Sequence, residues 1–584
     1  MAHLRNALVF VSALVFAESF SARAQAKEPA EMLDLQMYSR IRAEGFQHSH
    51  VMEYAAALLD GIGPRLTGSP AMASAGQWAV EQLSAMGCSN AHLESWGEFG
   101  LGWTQLSASL SIVDPGSGTF LAQATPWSPP TNGEVIADLI SVQGMQNEDE
   151  FTRWKGKLKG KVILYGHAAM SPEVDPEDVP RMEHADAAKL ASYAQYPLEE
   201  PAQTPVDYHK LFAGFAFQEK VAKFFAAEGA VTVIVPGGSG GVLHDDSNAS
   251  LGWFVFKPER RQLIPQEVME TEGWDRLKRL LDQKVPVKVK VRIETRFDDE
   301  HAQGFNTIAE IPGTDPKLKD EVVMVGGHLD SWFAGTGATD NGAGVVVAME
   351  AMRILNHLHV KPRRTIRIAL WSGEEQGLFG SFGYVTSHYA TLHFSEAPED
   401  QEVPLLLRDV LRKPTMKPEA EKFDAYYNLD NGTGKIFGIY TQGNLGAAEI
   451  FSQWMKPLAD LGVATVSNQS SGSSDQAAFG RAGLLGFSFI QDARDYMSRT
   501  HHTNLDTYEH LSEPDLKQAA VVEAIFLYNT AMRDGMLPRP DMPADGRDRP
   551  LQGLYPGEGG YVLRSTANRR SSPAHIQSEK PMRH

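Results

Sequence analysis

This chain of 584 residues contains a single cysteine, Cys88. An internal disulfide is therefore excluded, and stability must come from packed cores or bound metal ions. Basic residues are also scarce, 54 against 73 acidic ones, which gives a formal net charge of −19. Because binding to phosphates needs a basic surface, we expect no nucleic-acid partner. No repeat period indicates a solenoid or a propeller.

Long hydrophobic runs are missing as well. The N-terminal candidate, residues 7–17, has about half the length that a bilayer span requires, and Glu18 ends it. Arg5 precedes this run and Ala24-Gln-Ala26 follows it, so residues 1–26 are predicted to be a cleavable signal peptide rather than a membrane anchor. We therefore expect a periplasmic or secreted protein with no membrane span in the mature chain.

Histidines and carboxylates, in contrast, recur between residues 323 and 511. Each group follows an apolar run that is readable as a buried strand, and functional groups gather at the carboxyl ends of such strands in open α/β sheets. The groups are His328-Leu-Asp330, Asp340-Asn341, Glu374-Glu375, Asp430 and His501-His502. They supply the nitrogen and oxygen donors that zinc prefers, with neighbouring glutamates for both ligation and proton transfer. The chain is predicted to be a hydrolase.

In this order the groups resemble the signature of the co-catalytic zinc exopeptidases of the aminopeptidase and glutamate carboxypeptidase type. The resemblance implies an α/β fold, with a mixed, mostly parallel central sheet and helices on both faces, and two Zn²⁺ per chain. The implied ligands are His328, Asp340 and Asp430 for one ion, and Asp340, Glu375 and His502 for the other. Asp340 would bridge the pair, and His501 is the weaker candidate because the family places its histidine directly before the threonine.

Three further residues are assigned to catalysis. By the same resemblance, Glu374 would be the general base that accepts a proton from a zinc-activated water and returns it to the departing amine. Asp330 would hold the ring of His328 in one tautomer. Tyr496 could donate a hydrogen bond to the developing oxyanion, with a packed aromatic side chain as the equal alternative.

The chain divides into regions of different composition. Residues 27–127 and 301–540 are predicted to form one discontinuous zinc peptidase domain. Within it, Ser69 and Pro70 predict the start of a helix, as N-cap and first helical residue. A second helix is predicted from Asn341 onward, with one buried stripe made of Val345, Ala348, Met349, Met352 and Leu355. Residues 128–300, where short strands alternate with loops, resemble an inserted, β-rich protease-associated domain. Residues 550–584 are rich in Gly, Pro, Arg and Ser, so a poorly ordered tail is expected.

Two further segments leave their roles open. Residues 396–422 are a charged excursion, for which a solvated surface loop is expected, with a cap over the cleft or a contact to a second subunit as alternatives. Gln476 stands where many relatives of the family have histidine, so the part that this histidine has near the cleft is in doubt here.

The specificity also stays open. Asp492 and Asp495 could hold a substrate ammonium group, whereas Arg494 and Arg499 could hold a terminal carboxylate. We favour an aminopeptidase or dipeptidase over a carboxypeptidase, with a peptide substrate as partner and a homodimer as a further possibility. Two other classes are a single-zinc acyltransferase of the glutaminyl cyclase type and a receptor-like binding protein. The complete ligand set argues against both.

Overall fold

The computed structural model describes residues 31–166, 207–244, 251–471 and 474–540. The predicted signal peptide and the predicted tail lie outside the described residues. The strands of the described part are β1 Ser89–Asp114, β2 Gly118–Phe120, β3 Ala122–Ala124, β4 Val135–Val142, β5 Val162–Tyr165, β6 Thr232–Pro236, β7 Gln266–Met269, β8 Lys288–Ile311, β9 Val322–His328, β10 Thr365–Trp371, β11 Ala390–Thr391, β12 Thr415–Met416, β13 Phe423–Asn428, β14 Ile436–Tyr440, β15 Thr465–Ser467 and β16 Gly486–Gln491.

The described residues also form twelve α-helices. They are α1 Leu35–Gln47, α2 Val51–Ala56, α3 Pro70–Ala85, α4 Phe151–Trp154, α5 Tyr208–Ala227, α6 Thr271–Asp282, α7 Ala343–His357, α8 Phe379–His388, α9 Pro398–Gln401, α10 Leu445–Met455, α11 Gln476–Arg481 and α12 Glu513–Met532. Among the described residues, none of these helices has the length and apolar character needed to cross a membrane.

The centre of the fold is a set of four parallel neighbours, β16, β13, β9 and β10. β14 and β8 flank them as antiparallel strands, so the sheet is mixed and mostly parallel here, as predicted. Every residue of β9 and β13 is buried, which is typical of parallel strands covered on both faces. Because the four strands run in one direction, their carboxyl ends meet at one edge.

Helices cover both faces of this part of the sheet. Val323 and Val325 belong to one hydrophobic core, with residues of α1, α2, α3, α7, α10 and α12. Val322 and Met324 belong to a second core, with residues of α8 and α11. This division follows the alternation of side chains along a strand. The predicted fold class is confirmed.

Two helix predictions have different outcomes. The start of α3 is confirmed, since the Ser69 hydroxyl accepts a hydrogen bond from the Met72 N–H at 3.2 Å and Pro70 is the first helical residue. A single buried stripe along α7 was expected, and this is wrong, because every residue from 343 to 355 is buried. The helix is enclosed by the sheet and by its neighbouring helices, and its charged Arg353 pairs with Glu350 at 2.8 Å.

The region 128–300 contains a second parallel set, β4 to β7, with α5 and α6 against it. β3 and β8 flank this set as antiparallel strands. The long strands β1 and β8 pair with each other along most of their length, and β8 also pairs with β4 of this set and with β10 of the central one. The boundary expected at residue 300 therefore lies within β8, and the resemblance to a protease-associated domain stays a prediction.

Residues 396–422 contact this second region. Arg260 donates hydrogen bonds to Glu219 at 2.9 Å and to Glu402 at 2.7 Å. His209 on α5 lies 2.5 Å from Asp400 on α9. The excursion is thus tied to residues 207–260 by charged pairs, and the expectation of a solvated loop is wrong for this part of it.

Candidate metal centre

The predicted ligands come together where the parallel strands end. His328 is the last residue of β9, Asp430 follows β13 by two residues, and Glu375 lies in the turn after β10. Asp340 precedes α7, and His502 lies in the loop after β16. The sheet therefore brings together residues that lie more than a hundred positions apart in the sequence.

Asp340 lies between two groups of ligand atoms. Its Oδ1 is 3.2 Å from His328 Nε2, and its Oδ2 is 3.3 Å from His502 Nε2. His328 Nε2 is also 3.4 Å from Asp430 Oδ1, and His502 Nε2 is 3.0 Å from Glu375 Oε2. Each imidazole thus faces two carboxylates, and the two oxygens of Asp340 face different imidazoles.

These spacings fit bound metal ions. Two ligands at about 2.0 to 2.1 Å from one tetrahedral zinc ion lie roughly 3.3 Å apart. Four of the buried atoms have no hydrogen-bond partner within the described part of the chain: His328 Nε2, Asp340 Oδ2, Glu375 Oε1 and Asp430 Oδ1. Buried polar atoms normally find a partner, so atoms of this kind pointing into one place are expected for a metal centre.

The protonation of the site is governed by burial and by neighbouring charges. Burial raises the pKa of Glu375 to about 8, and the Asp340 charge adds to the shift. Burial also raises the pKa of Glu374 well above its usual range. For Asp340, burial acts in the same direction, but the adjacent His328 and His502 imidazoles hold the pKa well below its usual value. A bound cation would favour the ionised form of all three carboxyls.

Asp330 makes contacts different from the predicted one. The Nδ1 of His328 lies 2.9 Å from the main-chain carbonyl oxygen of Asp330 and 3.6 Å from its carboxylate. The carboxylate instead accepts hydrogen bonds from the N–H groups of Glu374 at 3.3 Å and Glu375 at 3.4 Å, and from the Thr67 hydroxyl at 2.9 Å. The carbonyl therefore orients the ring, and the carboxylate fixes the Glu374-Glu375 turn.

Asp506 is a site residue that the sequence reasoning left without a role. Its Oδ1 accepts hydrogen bonds from the N–H and the hydroxyl of Thr339, at 2.6 and 2.7 Å. Its Oδ2 accepts one from the Asp340 N–H at 3.1 Å. Asp506 thus positions the Asp340 carboxylate. Asp506 lies only four residues after the predicted ligand His502, and this proximity was the signal that the sequence offered.

Arg65 is a second residue of this kind, and it is fully buried. Its guanidinium donates hydrogen bonds to the carbonyl oxygens of Gly63, Leu329, Thr336 and Gly337. Burial lowers its pKa to about 10, so the group is charged at neutral pH. It fixes the segments before Asp330 and Asp340. No local pattern distinguishes this arginine from one on the surface.

His501 and Tyr496 lie on the same side of the site. His501 Nε2 is 3.7 Å from Asp340 Oδ2, and its ring stacks on His502 with the centroids 3.7 Å apart. The Tyr496 ring contacts His501 edge-on at 4.9 Å and is buried. Both histidines therefore reach the Asp340 carboxylate. The contact of Tyr496 is that of a packed aromatic side chain, and its oxyanion role stays a prediction.

Gln476 and its neighbour Asp475 are both buried beside the site. The Gln476 side chain accepts a hydrogen bond from Asn428 at 3.0 Å and donates one to the Ser471 carbonyl at 3.2 Å. It thereby fixes the end of β13, two residues before Asp430. Burial raises the pKa of Asp475 to about 8, while the charge of His328 opposes the shift.

The candidates for binding a substrate terminus mostly have other partners. Asp495 pairs with His510 at 2.8 Å, and Arg494 pairs with Asp515 at 3.3 Å. Asp492 is buried and accepts a hydrogen bond from the Arg494 N–H at 3.2 Å, whereas Arg499 is exposed. Asp495, Arg494 and Asp492 therefore have structural contacts that would compete with a substrate terminus.

Comparison with known proteins finds a matching family model, similar proteins and similar solved structures. Residues 306–526 match the model of peptidase family M28. Carboxypeptidase Q of Rattus norvegicus is 26% identical over 494 residues, which cover 83% of this chain and 86% of that protein. The solved structure of a peptidase M28 precursor from Shewanella amazonensis has a TM-score of 0.59 and 24% identity, covering 87% of this chain and 99% of its own. A zinc aminopeptidase from Bacillus subtilis has a TM-score of 0.51 and 20% identity, with coverages of 83% and 95%.

Proposed function

We propose that this chain, which belongs to the co-catalytic zinc exopeptidases of peptidase family M28, hydrolyses terminal peptide bonds with two bound zinc ions. The observation that carries the proposal is the position of Asp340, whose two oxygens face His328 and His502 separately at 3.2 and 3.3 Å. One ion would be held by His328, Asp340 and Asp430, and the other by Asp340, Glu375 and His502. Bound zinc would polarise the scissile carbonyl and lower the pKa of water toward neutrality.

Glu374 is the proposed general base. Its Oε2 lies 4.0 Å from His328 Nε2, farther than the proposed ligand atoms, and its side chain is 11% exposed. The Asp330 carboxylate fixes the turn that contains Glu374 and Glu375, because it accepts hydrogen bonds from both of their N–H groups. Glu374 can therefore accept a proton from the attacking water without leaving its position and deliver it to the departing amine.

An amino-terminal or dipeptide specificity is favoured by the charges near the site. Carboxyl groups predominate there: besides burial, the charges of Asp430, Asp475 and Glu375 raise the pKa of Glu374. The buried cation Arg65 uses its N–H groups on carbonyl oxygens, so it does not provide a carboxylate anchor. A substrate ammonium group is the better complement to this arrangement.

Carboxypeptidase activity is the second candidate, because the similarity to carboxypeptidase Q extends over 83% of the chain. Arg499, exposed three residues before His502, is the cation available for a terminal carboxylate. We also propose that residues 1–26 direct export to the periplasm or the medium, where the substrate would be a peptide.

Elemental analysis and paired peptides test these proposals together. Purified protein should contain two zinc ions per chain and release amino acids from a peptide blocked at its carboxyl end. Cleavage only of the peptide blocked at its amino end would establish a carboxypeptidase, and cleavage of neither would indicate a dipeptidase if free dipeptides are hydrolysed. One zinc ion together with acyl transfer would favour the cyclase type. Absence of zinc and of all hydrolysis would refute the enzyme and leave a binding protein.

A further inference from the structure

The loop that carries His502 is fastened to the region 128–300 through Asn504. The Asn504 N–H donates a hydrogen bond to the Leu243 carbonyl at 3.1 Å, and its Oδ1 accepts one from the Leu243 N–H at 2.7 Å. Its Nδ2 donates a third to the Gly241 carbonyl at 3.1 Å. Beside it, Thr503 and His244 form an antiparallel bridge. All the polar groups of this side chain are thus directed at residues 241–243.

The partner loop, residues 237–243, is itself attached to β7 and α6. The Gly237 N–H donates to the Met269 carbonyl at 2.7 Å, and the Thr271 N–H donates to the Gly238 carbonyl at 2.9 Å. The Gly240 N–H donates to the Glu272 carboxylate at 2.8 Å. Leu243 is buried, at 1% exposure. Asn504 is therefore bound to a loop that is itself held to β7 and α6 by hydrogen bonds.

His502 itself needs support from its surroundings. Its φ angle is 57°, in the left-handed region that a side chain with a Cβ adopts only at a conformational cost. Such a conformation persists when contacts on both sides hold it. On one side, Asp506 holds the loop against Thr339 and Asp340. On the other, Asn504 holds it against residues 241–243.

We propose that Asn504 is a positioning residue for the metal ion that His502 and Glu375 would share. By fastening the loop to residues 241–243, it keeps His502 Nε2 at 3.0 Å from Glu375 Oε2. The region 128–300 then contributes to metal retention. The His328 side of the site has no such dependence, because β9 and the Asp330 carbonyl position that ring. This inference rests on the proposed two-zinc function.

The test compares zinc binding of the full chain and its variants by competition with a coloured zinc chelator. Asn504→Ala removes two of the three hydrogen bonds, and we expect one zinc equivalent to bind about tenfold more weakly while the other is unchanged. Asn504→Asp keeps an acceptor for the Leu243 N–H but loses the donor to Gly241, so its effect should be intermediate. Arg260 with Glu402, and Phe256 stacked on Phe99, still tie the region 128–300 to the rest.

The control is Asn356→Ala, which removes a half-buried amide that donates to Cys88 Sγ at 3.2 Å on the far end of α7. It should retain both ions at wild-type affinity, and thermal unfolding should verify that all three variants are folded. Equal weakening of both ions, an effect of Asn356→Ala as large as that of Asn504→Ala, or two ions at wild-type affinity in Asn504→Ala would overturn the inference while the proposed function stands. A wild-type chain that binds fewer than two zinc ions would overturn both.

Discussion

Replacing Asp506 by asparagine should loosen the bridging carboxylate of Asp340 without removing any predicted ligand. The side chain is nearly isosteric, so no cavity forms, and its remaining oxygen can still accept both hydrogen bonds from Thr339. The new NH₂ group then faces the Asp340 N–H, which at present donates to Asp506 Oδ2 at 3.1 Å. Two donors would point at each other in a buried place.

The size of the effect follows from that single orphaned N–H. A buried donor without a partner costs about 1 to 3 kcal/mol, so a loss of about 2 kcal/mol in the unfolding free energy of the zinc-loaded protein is expected. In the zinc-free variant, the Asp340 N–H can relax toward another partner. Zinc binding must then restore the arrangement described above, and the same loss of about 2 kcal/mol weakens zinc binding by up to roughly 30-fold. The losses in unfolding free energy and in zinc-binding free energy therefore have the same upper limit, about 2 kcal/mol.

Chemical denaturation of the zinc-loaded chain and chelator competition measure the two quantities. Asp424→Asn is the matched control, because Asp424 is also a buried aspartate that accepts a main-chain hydrogen bond, from Leu537 at 2.9 Å, but no predicted zinc ligand is bonded to it. It should change stability without changing zinc affinity. An Asp506→Asn variant with wild-type unfolding free energy and wild-type zinc affinity would refute the positioning role of Asp506.

Three further predictions concern the base, the choice of histidine and pH. Glu374→Gln should keep both zinc ions and lose most turnover, because an amide does not accept the proton; loss of zinc would identify a ligand instead. His502→Phe should lose one zinc ion in elemental analysis while His501→Phe keeps both, and the opposite result would exchange their roles. Burial raises the pKa of Asp424 from 3.8 to about 6, so the folded chain retains a proton that the unfolded chain releases in this window. As pH rises from about 4 to 6, the wild type should therefore lose unfolding free energy relative to Asp424→Asn, and parallel denaturation curves would contradict this.

Several parts of the site were predictable from short stretches of sequence. The apolar runs before His328 and Asp430 gave the strands β9 and β13, since buried parallel strands consist almost wholly of apolar residues. Ser69 and Pro70 gave the start of α3 because capping involves residues only three positions apart. Such features depend on neighbours in the chain, so a local pattern is enough to predict them.

Other parts were not predictable in this way. The expected stripe along α7 failed because its polar side, with Glu350 and Arg353, is covered by α1, whose Glu44 accepts a hydrogen bond from Arg353 at 2.6 Å. Asp330 lies beside His328, as predicted, with its main-chain carbonyl oxygen nearer to Nδ1 than its carboxylate, because a spacing of two residues does not decide between these groups. Both outcomes depend on how separate segments pack.

The donor types, their order along the chain and the strands that they follow can all be read from the amino-acid sequence. These are consequences of composition and of the two-residue period of a strand, which operate over a few residues. Three contacts, in contrast, arise from the packing of distant segments: the two oxygens of Asp340 face different histidines, His501 also reaches this carboxylate, and Asn504 joins the site to residues 241–243. Those contacts join residues up to 263 positions apart, so their geometry exists only once the sheet, its helices and the second region have packed together.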